Sequence, residues 1–464
     1  MKIESHFDPE MLCRYDEFGP RYTSYPTAPQ FSEDFNAVDF QRHAESSNAE
    51  LIPRPISLYA HIPYCSSPCF YCGCNRIITR DVRKGEHYLE RLLRELSMVA
   101  PLFDRDRDVS QVHFGGGTPN FLSPEQLGRL LDSMGRHFHF SGAKDRDFSI
   151  ELDPRHVTPA EIADLARLGF NRASLGVQDF DPAVQAAVNR TQSVKQTLDI
   201  IDACQTNGMR SVNVDLIYGL PKQSLAGFSA TLDIVINARP GRMAIYGYAH
   251  MPRLFKAQKQ IVENDLPDGK DRMALLTLAV DKLTAAGYEY IGMDHFALPD
   301  DDLALARNAG SLHRNFMGYT THADCDLVGL GVSAISHVGD SFSQNPRDIA
   351  GWEIALDEGR LPVWRGMSLS LDDVVRADII QKIMCQAEFS ISDIERRFNI
   401  SFDSYFENAR AGLKDLEKDG LVSIYADGIA ATSRGRYLLR IIAMCFDHYR
   451  NVDKTTAVSY SKVV

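Results

Sequence analysis

A repeated alternation of apolar, β-rich segments and amphipathic helical segments occupies residues 57–297 and constrains the fold more than any other feature. The β-rich segments are apolar almost throughout, which is typical of parallel strands covered by helices. Six such units are too few for a closed eight-unit barrel, so we predict an α/β fold with an open, partial (β/α)6 barrel of the TIM type. The predicted strands are 57–63, 111–117, 147–153, 172–178, 211–219 and 242–250, with 288–297 as an additional candidate.

Two flanking regions depart from this pattern and predict a three-part chain. Residues 1–55 contain the stretch GPRYTSYPTAPQFS and form an N-terminal extension over the active site of a barrel domain at 56–364. Residues 365–464 indicate two helices, a hairpin and a last helix, which is a mainly helical, winged-helix-like domain. Such a shape can bind DNA, but this region has 14 Lys/Arg and 14 Asp/Glu residues. A docking or lid domain is therefore favoured over a DNA-binding one.

Charge and apolar content argue against several classes of partner. The formal net charge of −12 disfavours a nucleic-acid partner, and no apolar run reaches the roughly 18 residues needed to span a bilayer. The first residues, MKIESHFDPEMLCRYDEF, are acidic and lack the apolar core of a signal peptide. Nine cysteines in one cluster and scattered single positions favour a reducing compartment. We therefore predict a cytoplasmic protein with no membrane and no nucleic-acid partner.

Three closely spaced cysteines, Cys65, Cys69 and Cys72, follow the first predicted strand in a C-x-x-x-C-x-x-C array. Three thiolates at this spacing can hold three corners of a 4Fe–4S cluster and leave its fourth iron without a protein ligand. A structural zinc site needs a fourth ligand. Cys74 is separated from Cys72 by one residue, too short an arc for both to converge easily on one ion. The spacing favours the open cluster, with zinc or inert cysteines as the alternatives.

Polar residues and glycines stand at the C-terminal ends of other predicted strands. Glu151, Gln178 and Asp215 lie within or at the end of otherwise apolar segments, and three glycines occupy 115–117. A polar group in a buried strand is costly unless it has a partner, and loops from several parallel strands meet at this edge of a barrel. We therefore expect these residues and the cysteine loop to form one site.

A series of short motifs runs through nearly the whole chain. They are PRYTSYPTA (20–28), YAHIPYCSSPCFYCGCN (59–75), FGGGTP (114–119), IELDPR (150–155), GVQDF (176–180), VNRTQ (188–192), DLIYGLPKQ (215–223), GMDHFALPDD (292–301), LHRNFMGYTT (312–321), LGVSAIS (330–336) and RADIIQKIMC (376–385). In this order they resemble the oxygen-independent coproporphyrinogen III oxidase family, whose members are radical S-adenosylmethionine (SAM) enzymes of haem biosynthesis.

The resemblance implies a reaction and its cofactors. Two propionate side chains of coproporphyrinogen III are oxidatively decarboxylated to vinyl groups, giving protoporphyrinogen IX, by a SAM-derived 5′-deoxyadenosyl radical. The implied cofactors are one 4Fe–4S cluster and two SAM molecules. The implied protein is a monomer, reduced by a flavodoxin- or ferredoxin-like donor, with a helical C-terminal domain that covers the site.

The resemblance also assigns roles to residues. Cys65, Cys69 and Cys72 are the implied cluster ligands, and Cys74 either relays a hydrogen atom or electron or merely packs. The glycines at 115–117 let the backbone approach the methionine part of SAM closely. The implied contacts of the first SAM are Tyr59, Gly116, Glu151 and Ile335, of which Tyr59 and Ile335 would otherwise be assigned to the core. Those of the second SAM are Tyr71, Gly117, Thr118, Gln178, Arg190, Asp215 and Ala249.

The substrate carries four carboxylates, and bidentate arginine is their natural partner. Arg21 and Arg314 lie in motif segments and are the candidates for this role, with ordinary surface arginines as the alternative. A paralogous radical SAM group that binds and delivers haem is a second functional hypothesis. That group usually lacks the PRYTSYPTA segment and the cysteine at Cys74, and a structural zinc protein is the third hypothesis. Two positions depart from the oxidase pattern: Met317 replaces the usual Gln and Gly247 the usual Asn.

Overall fold

The computed structural model describes residues 7–452 and 460–463, which form two compact units. The barrel unit consists of residues 31–267 and 324–368. The helical unit consists of residues 268–323 and the described parts of 1–30 and 369–464. The predicted segments 1–55 and 56–364 are each divided between the two units, because stretches far apart in sequence share one core.

Seven strands of the barrel unit run parallel to one another. They are Ile56–Ile62 (β1), Asp108–Gly116 (β2), Asp147–Leu152 (β3), Arg172–Gln178 (β4), Ser211–Tyr218 (β5), Arg242–Gly247 (β6) and Asp326–Leu330 (β7). Across the sheet they follow the order β6-β5-β4-β3-β2-β1-β7. The six predicted strands and the parallel sheet are confirmed, and β7 joins β1 from a much later part of the chain.

Antiparallel strands continue the sheet beyond β7, and short elements complete the unit. The antiparallel strands are Ile335–His337, Ser341–Gln344 and Arg365–Ser368. The short strands are Tyr64–Cys65, Ile77–Ile78 and His139–Phe140. The 3-10 turns of this unit are Ala100–Leu102, Pro119–Phe121, Pro154–His156, Lys256–Gln260 and Glu263–Asp265.

Helices between the strands bury the apolar sheet. They are Ala37–Asn48, Arg83–Val99, Pro124–His137, Pro159–Arg167, Pro182–Ala187, Val194–Thr206, Leu225–Ala238 and Ile349–Asp357. Four of them begin after a Ser or Thr whose side-chain oxygen accepts a hydrogen bond from the first helical turn, which satisfies a backbone donor that would otherwise lack a partner. These N-caps are Ser123, Thr158, Ser193 and Ser224.

A buried ion pair ties the first residue of β7 to the rest of the unit. The Asp326 carboxylate accepts hydrogen bonds from Arg107 Nη2 at 2.6 Å, from Gly339 N at 2.9 Å and from Ser47 Oγ. The side chains of Arg107 and Asp326 are 2% and 1% exposed. Because Arg107 also donates to the Asn48 side chain, the ion pair joins the Ala37–Asn48 helix to β7.

The helical unit has its own apolar core. Its α-helices are Pro9–Arg14, Gly269–Ala285, Asp302–Ala309, Leu371–Gln386, Ile391–Phe398, Phe402–Tyr405, Glu407–Lys418, Leu439–Met444 and Tyr449–Val452. Its 3-10 turns are Ala28–Gln30 and Gly435–Leu438. A three-stranded antiparallel sheet consists of Glu388–Ser390, Val422–Tyr425 and Gly428–Ala431, and a hairpin of His313–Asn315 and Gly318–Thr320. The predicted mainly helical region with a hairpin is therefore present.

Two sequence-based expectations about this unit need correction. Residues 288–297, the additional strand candidate, form two antiparallel strands, Glu289–Gly292 and His295–Ala297. The chain reverses at Met293 and Asp294, directly after Gly292, whose φ of +153° favours glycine. The predicted last helix is interrupted after Met444 and resumes only at Tyr449. Among the helices that the structure describes, none combines the length and hydropathy needed to cross a bilayer.

Candidate active site

The cysteine loop, residues 65–74, leaves the C-terminal end of β1 and is closed at its base. A short parallel ladder joins its two ends. The Arg76 guanidinium donates to two loop carbonyls, through Nη1 to Cys72 O at 3.1 Å and through Nη2 to Cys69 O at 3.0 Å. The loop is thereby folded back on itself, so that Cys65, Cys69 and Cys72 line one cavity of about 250 Å³, which we call the strand-end cavity.

Most of the predicted site residues line the strand-end cavity. They are Cys65, Cys69, Cys72, Cys74, Tyr71, Gly116, Gly117, Thr118, Glu151, Gln178, Arg190 and Asp215. Three predicted SAM contacts lie elsewhere in the barrel unit: Tyr59 within β1, Ile335 at the start of an antiparallel strand, and Ala249 after β6. Arg21 and Arg314 belong to the helical unit.

The glycines at the end of β2 pass close to the chain that leaves β1. Gly117 N donates to Ile62 O at 2.8 Å, and a Cβ at Gly117 would lie 2.6 Å from the Pro63 carbonyl oxygen. Gly116 has φ +121°, a conformation that other L residues rarely adopt. The chain's own backbone therefore requires glycine here. The sequence-based explanation, close approach to a bound cofactor, had not identified this contact.

Glu151, the polar residue of β3 that the sequence analysis singled out, lines the strand-end cavity. Its carboxylate accepts a hydrogen bond from Gly116 N at 3.1 Å and lies 3.4 Å from His113 Nε2. Burial opposes ionisation, but the hydrogen bond and charge of His113 and the Gly116 amide outweigh it and lower the pKa of Glu151. The cavity therefore presents an ionised carboxylate, a suitable acceptor for an ammonium or hydroxyl group of a ligand.

His61 links Tyr59 to the cysteine loop. Its Nε2 lies 3.1 Å from the Asn75 carbonyl oxygen and its Nδ1 lies 3.0 Å from the Tyr59 hydroxyl. Burial lowers the pKa of His61, so the ring is neutral near pH 7. A carbonyl can only accept, so Nε2 carries the proton and Nδ1 accepts from Tyr59. Tyr59 is thus connected through His61 to Asn75, the residue that follows the loop.

A network of two arginines and one aspartate surrounds the Cys69 sulfur. Arg190 Nη1 lies 3.3 Å from Cys69 Sγ and Arg155 Nη2 lies 3.7 Å from it. Asp153 accepts from both guanidinium groups, at 2.6 Å from Arg155 and 3.3 Å from Arg190. Burial favours the neutral Asp153 carboxyl, but the charges of Arg190 and Arg155 outweigh it and hold its pKa at about 2. Sequence reasoning missed Asp153 and Arg155, although both belong to the IELDPR motif.

The other two cysteines of the array have different surroundings. Cys65 Sγ lies 3.2 Å from the Thr118 hydroxyl, and burial raises the pKa of this thiol to about 11. Cys72 Sγ accepts a hydrogen bond from Cys74 N at 3.4 Å. The Cys74 thiol also donates to this sulfur and lowers the pKa of Cys72 to about 6. Cys74 is therefore a hydrogen-bond partner of a cluster-ligand candidate at the exposed rim of the cavity.

The surroundings of the three thiols fit a cluster better than a single ion. Among residues 7–452 and 460–463, no three His, Cys, Asp or Glu side chains converge as a mononuclear site requires. The thiols instead border a cavity. Arg76 Nε and Arg190 Nε are buried without a hydrogen-bond acceptor in the described part of the chain. Cationic side chains beside three thiols, each with one donor atom still available, suit a larger anionic group, such as an iron–sulfur cluster with a carboxylate-bearing ligand.

Comparisons with known proteins agree with this chemistry. The sequence model of the radical SAM superfamily matches residues 59–235, and that of the HemN C-terminal domain matches residues 369–438. Oxygen-independent coproporphyrinogen III oxidase of Pseudomonas aeruginosa is 48% identical over 443 residues, which are 96% of each chain. The enzyme of Escherichia coli is 43% identical over 458 residues, 99% of this chain and 98% of that one. The chain belongs to the oxygen-independent coproporphyrinogen III oxidase family.

A solved structure supports the same assignment at the level of the fold. Coproporphyrinogen III oxidase from Escherichia coli, described as a radical SAM enzyme, superposes with a TM-score of 0.91 at 42% identity. The match covers 96% of this chain and 100% of the other. The chain is thus a radical SAM oxidoreductase, and its family implies a 4Fe–4S cluster and SAM. The predicted α/β partial barrel with a helical C-terminal domain is confirmed.

The two positions predicted to depart from the family pattern, Gly247 and Met317, have identifiable surroundings. At Gly247 a Cβ would lie 2.9 Å from the Tyr218 hydroxyl, so that the tyrosine takes the space of the usual asparagine side chain. Met317 lies at the turn of the His313–Thr320 hairpin, where its N–H donates to Asn315 Oδ1 at 2.9 Å. The turn uses the main chain of residue 317, which is compatible with different side chains.

Gly117→Ala is expected to lower the free energy of unfolding by about 1–3 kcal/mol, because the added methyl group would overlap the Pro63 carbonyl. We also expect weaker SAM binding, since the strand end must shift to relieve the overlap. Gly142→Ala is the matched control, because no described atom lies within 4 Å of its Cβ position. Urea unfolding and SAM titration measure the two effects. Equal stability of the two variants would contradict the proposed backbone contact.

Asp215→Asn is expected to remove a pH dependence of stability. Burial, with a smaller contribution from Glu151, raises the pKa of Asp215 from 3.8 to about 6, although Asn213 and Ser174 donate to it. The folded state then holds a proton more tightly than the unfolded state. The stabilisation is fully present below pH 3.8 and is lost as the pH rises through 6.

The variant should therefore match the parent at pH 4 or below and exceed its free energy of unfolding by about 2 kcal/mol at pH 7, allowing for water in the cavity. Urea unfolding across this range measures the difference. Asp145→Asn, at an exposed loop position, is the control. Parallel pH profiles of Asp215→Asn and the parent would rule out the raised pKa.

Proposed function

We propose that this chain removes the carboxyl groups of two propionate side chains of coproporphyrinogen III without oxygen, leaving the vinyl groups of protoporphyrinogen IX. Family membership over the whole chain supports the substrate. The observation that carries the chemistry is the cysteine loop: three thiols border one cavity, and the nearby Cys74 thiol is engaged with Cys72. This arrangement leaves an open position on a three-cysteine cluster.

The reaction needs a strong one-electron reagent because an unactivated propionate has no electron sink next to its carboxyl group. When bound, the cluster and SAM would supply a carbon-centred radical that removes a hydrogen atom from the β-carbon of the propionate. Transfer of one further electron to an acceptor and release of carbon dioxide would then leave the vinyl group. The residues of the chain bind and orient the reactants and exclude side reactions. Cys65, Cys69 and Cys72 would hold the cluster. Glu151, ionised at neutral pH, would bind the amino or ribose groups of SAM.

A second SAM is part of this proposal. The strand-end cavity offers the polar groups for it, with an acidic and a basic side chain among them. The residues proposed to contact it are Tyr71, Gly117, Thr118, Gln178, Arg190 and Asp215. Tyr59 and Ile335, proposed for the first SAM, and Ala249, proposed for the second, would act from outside the cavity lining. Ala249 would influence the second SAM indirectly, because Gln258 donates to the carbonyls of both Ala249 and Tyr71.

The two candidate arginines for the propionates differ in their surroundings. Arg21 forms an ion pair with Asp294, so part of its charge is already compensated. Arg314 is 6% exposed and lies 4.8 Å above the Tyr319 ring, and its Nε and Nη1 have no acceptor among the described residues. A buried guanidinium group with two donor atoms that lack an acceptor in the described part of the chain favours an anionic partner. Arg314 is therefore the stronger candidate for a propionate partner.

The remaining parts of the proposal concern electrons and assembly. A reduced flavodoxin- or ferredoxin-like protein would supply the electron, and the enzyme would act as a monomer in the cytoplasm. Cys74, at the exposed rim of the cavity, would relay a hydrogen atom or electron between the cluster side and the substrate.

Anaerobic turnover tests the function directly. Incubation of the reconstituted enzyme with coproporphyrinogen III, SAM and a reductant should yield protoporphyrinogen IX and 5′-deoxyadenosine. An intact cluster with no vinyl product would reject the decarboxylation. Tight stoichiometric haem binding without turnover would instead support a haem-delivery protein. Zinc in place of iron and sulfide after anaerobic preparation would support a structural metal site.

A further inference from the structure

The three cysteines of the loop differ in the charge around their sulfur atoms. The hydrogen-bond partners of the other two sulfurs are uncharged: the Thr118 hydroxyl at Cys65, and the thiol and amide of Cys74 at Cys72. The charge of Arg76 acts on both thiols and that of Arg190 on Cys72, but neither guanidinium donates a hydrogen bond to them. Cys69 is 7% exposed, and two guanidinium groups point at its sulfur. A cluster held by this loop would therefore have one corner in a strongly cationic environment.

Asp153 fixes both guanidinium groups in place. Besides accepting from Arg155 and Arg190, its carboxylate accepts from Arg155 N at 3.1 Å and caps the short helix at 154–156. Arg190 is further held by the Gly176 carbonyl, to which its Nη2 donates at 2.5 Å. Asp153 and both arginines are largely buried, since their side chains are 7%, 13% and 8% exposed. The cations cannot move away from Cys69 without breaking buried ion pairs.

We propose that Arg155, oriented by Asp153, is a positioning residue that raises the reduction potential of the cluster by donating a charge-assisted hydrogen bond to Cys69. Reduction adds one electron, and thus one negative charge, to the cluster and its ligand sulfurs. Hydrogen bonds and positive charge at a ligand sulfur stabilise the reduced form. Arg190 contacts the same sulfur but is also a candidate SAM contact, so Arg155 isolates the effect. This inference rests on the proposed function for the presence of the cluster.

The test is an anaerobic redox titration of the reconstituted, SAM-free enzyme with dithionite, followed by electron paramagnetic resonance. In Arg155→Gln, which removes the charge, we expect a more negative midpoint potential. The expected ratio of reduced to oxidised cluster at a fixed potential is about tenfold lower, which corresponds to about 59 mV for one electron. Arg155→Lys keeps the charge without the forked donor and should shift the potential less. Arg83→Gln, at an 88% exposed side chain paired with Asp81, is the matched control and should leave the potential unchanged.

Iron and acid-labile sulfide content separate this role from a merely structural one. The inference is supported if the parent and the three variants contain equal amounts of iron and sulfide while the midpoint potential of Arg155→Gln is shifted. An unchanged potential, or loss of the cluster from both Arg155 variants, would overturn it. The titration needs no porphyrinogen, so a failure to decarboxylate with an intact cluster would reject the proposed reaction alone. A parent protein that takes up no iron and sulfide would overturn both.

Discussion

Cys69→Ser is expected to abolish both cluster assembly and SAM cleavage. Cys69 is the most buried of the three loop cysteines and the one whose sulfur contacts two arginines. A serine oxygen is a poor replacement for a thiolate iron ligand, and the two remaining cysteines cannot hold a cubane. The decrease in SAM cleavage should exceed the roughly 10- to 100-fold effect that follows when a hydrogen-bond partner of a metal ligand is removed. Iron analysis and release of 5′-deoxyadenosine measure it.

Cys13→Ser is the matched control for this prediction. Cys13 is exposed in the Pro9–Arg14 helix of the helical unit, so its replacement should change neither iron content nor SAM cleavage. Circular dichroism should show that both variants keep their helical content, because Cys69 lies in a loop. SAM cleavage by Cys69→Ser at the parent's rate would contradict the assignment of the cluster ligands.

Asp326→Ala is expected to lower the free energy of unfolding of the barrel unit by about 3–5 kcal/mol, because it leaves the buried Arg107 charge uncompensated. The same change removes the acceptor for Ser47 Oγ and for Gly339 N. Urea unfolding followed by tryptophan fluorescence is suitable, since both tryptophans, Trp352 and Trp364, lie in the barrel unit.

Replacing both partners tests the physical reason for that loss. A double variant, Arg107→Met with Asp326→Leu, removes the unpaired charge and should recover a substantial part of the stability. Arg83→Ala breaks the surface ion pair with Asp81 while keeping the backbone hydrogen bond to that carboxylate, and should leave the unfolding curve unchanged. If Asp326→Ala lost less than about 1 kcal/mol, the buried pair would contribute no more than a typical hydrogen bond and the argument would fail.

The strands and the cysteine array were predictable because their signals are local. Six of the seven residues of β1 are buried, as expected for a parallel strand that is covered on both faces. The spacing of Cys65, Cys69 and Cys72 limits what they can bind whatever surrounds them. Glu151, Gln178 and Asp215 share one cavity for a related reason: parallel strands bring their carboxyl ends to one edge.

Other features were not predictable, because they join distant parts of the chain. β7 lies beside β1 although about 270 residues separate them. The predicted segment boundaries gave no indication that residues 268–323 would share a core with 369–464. The break in the last predicted helix likewise lies in a sequence with uninterrupted helical character. In each case the outcome depends on which surfaces meet, and a pattern of single residues does not contain that information.

The parallel sheet, the three-cysteine loop and the set of polar strand ends follow from the order of residues alone, because periodicity and spacing act within a few residues. Three features depend on packing instead: Arg155 and Arg190 converge on Cys69, the Pro63 carbonyl leaves no space for a side chain at Gly117, and two buried donor atoms of Arg314 have no acceptor among the described residues. The physical reason is that a contact between distant segments exists only after the intervening chain has been ordered, and that ordering is a property of the whole packed unit.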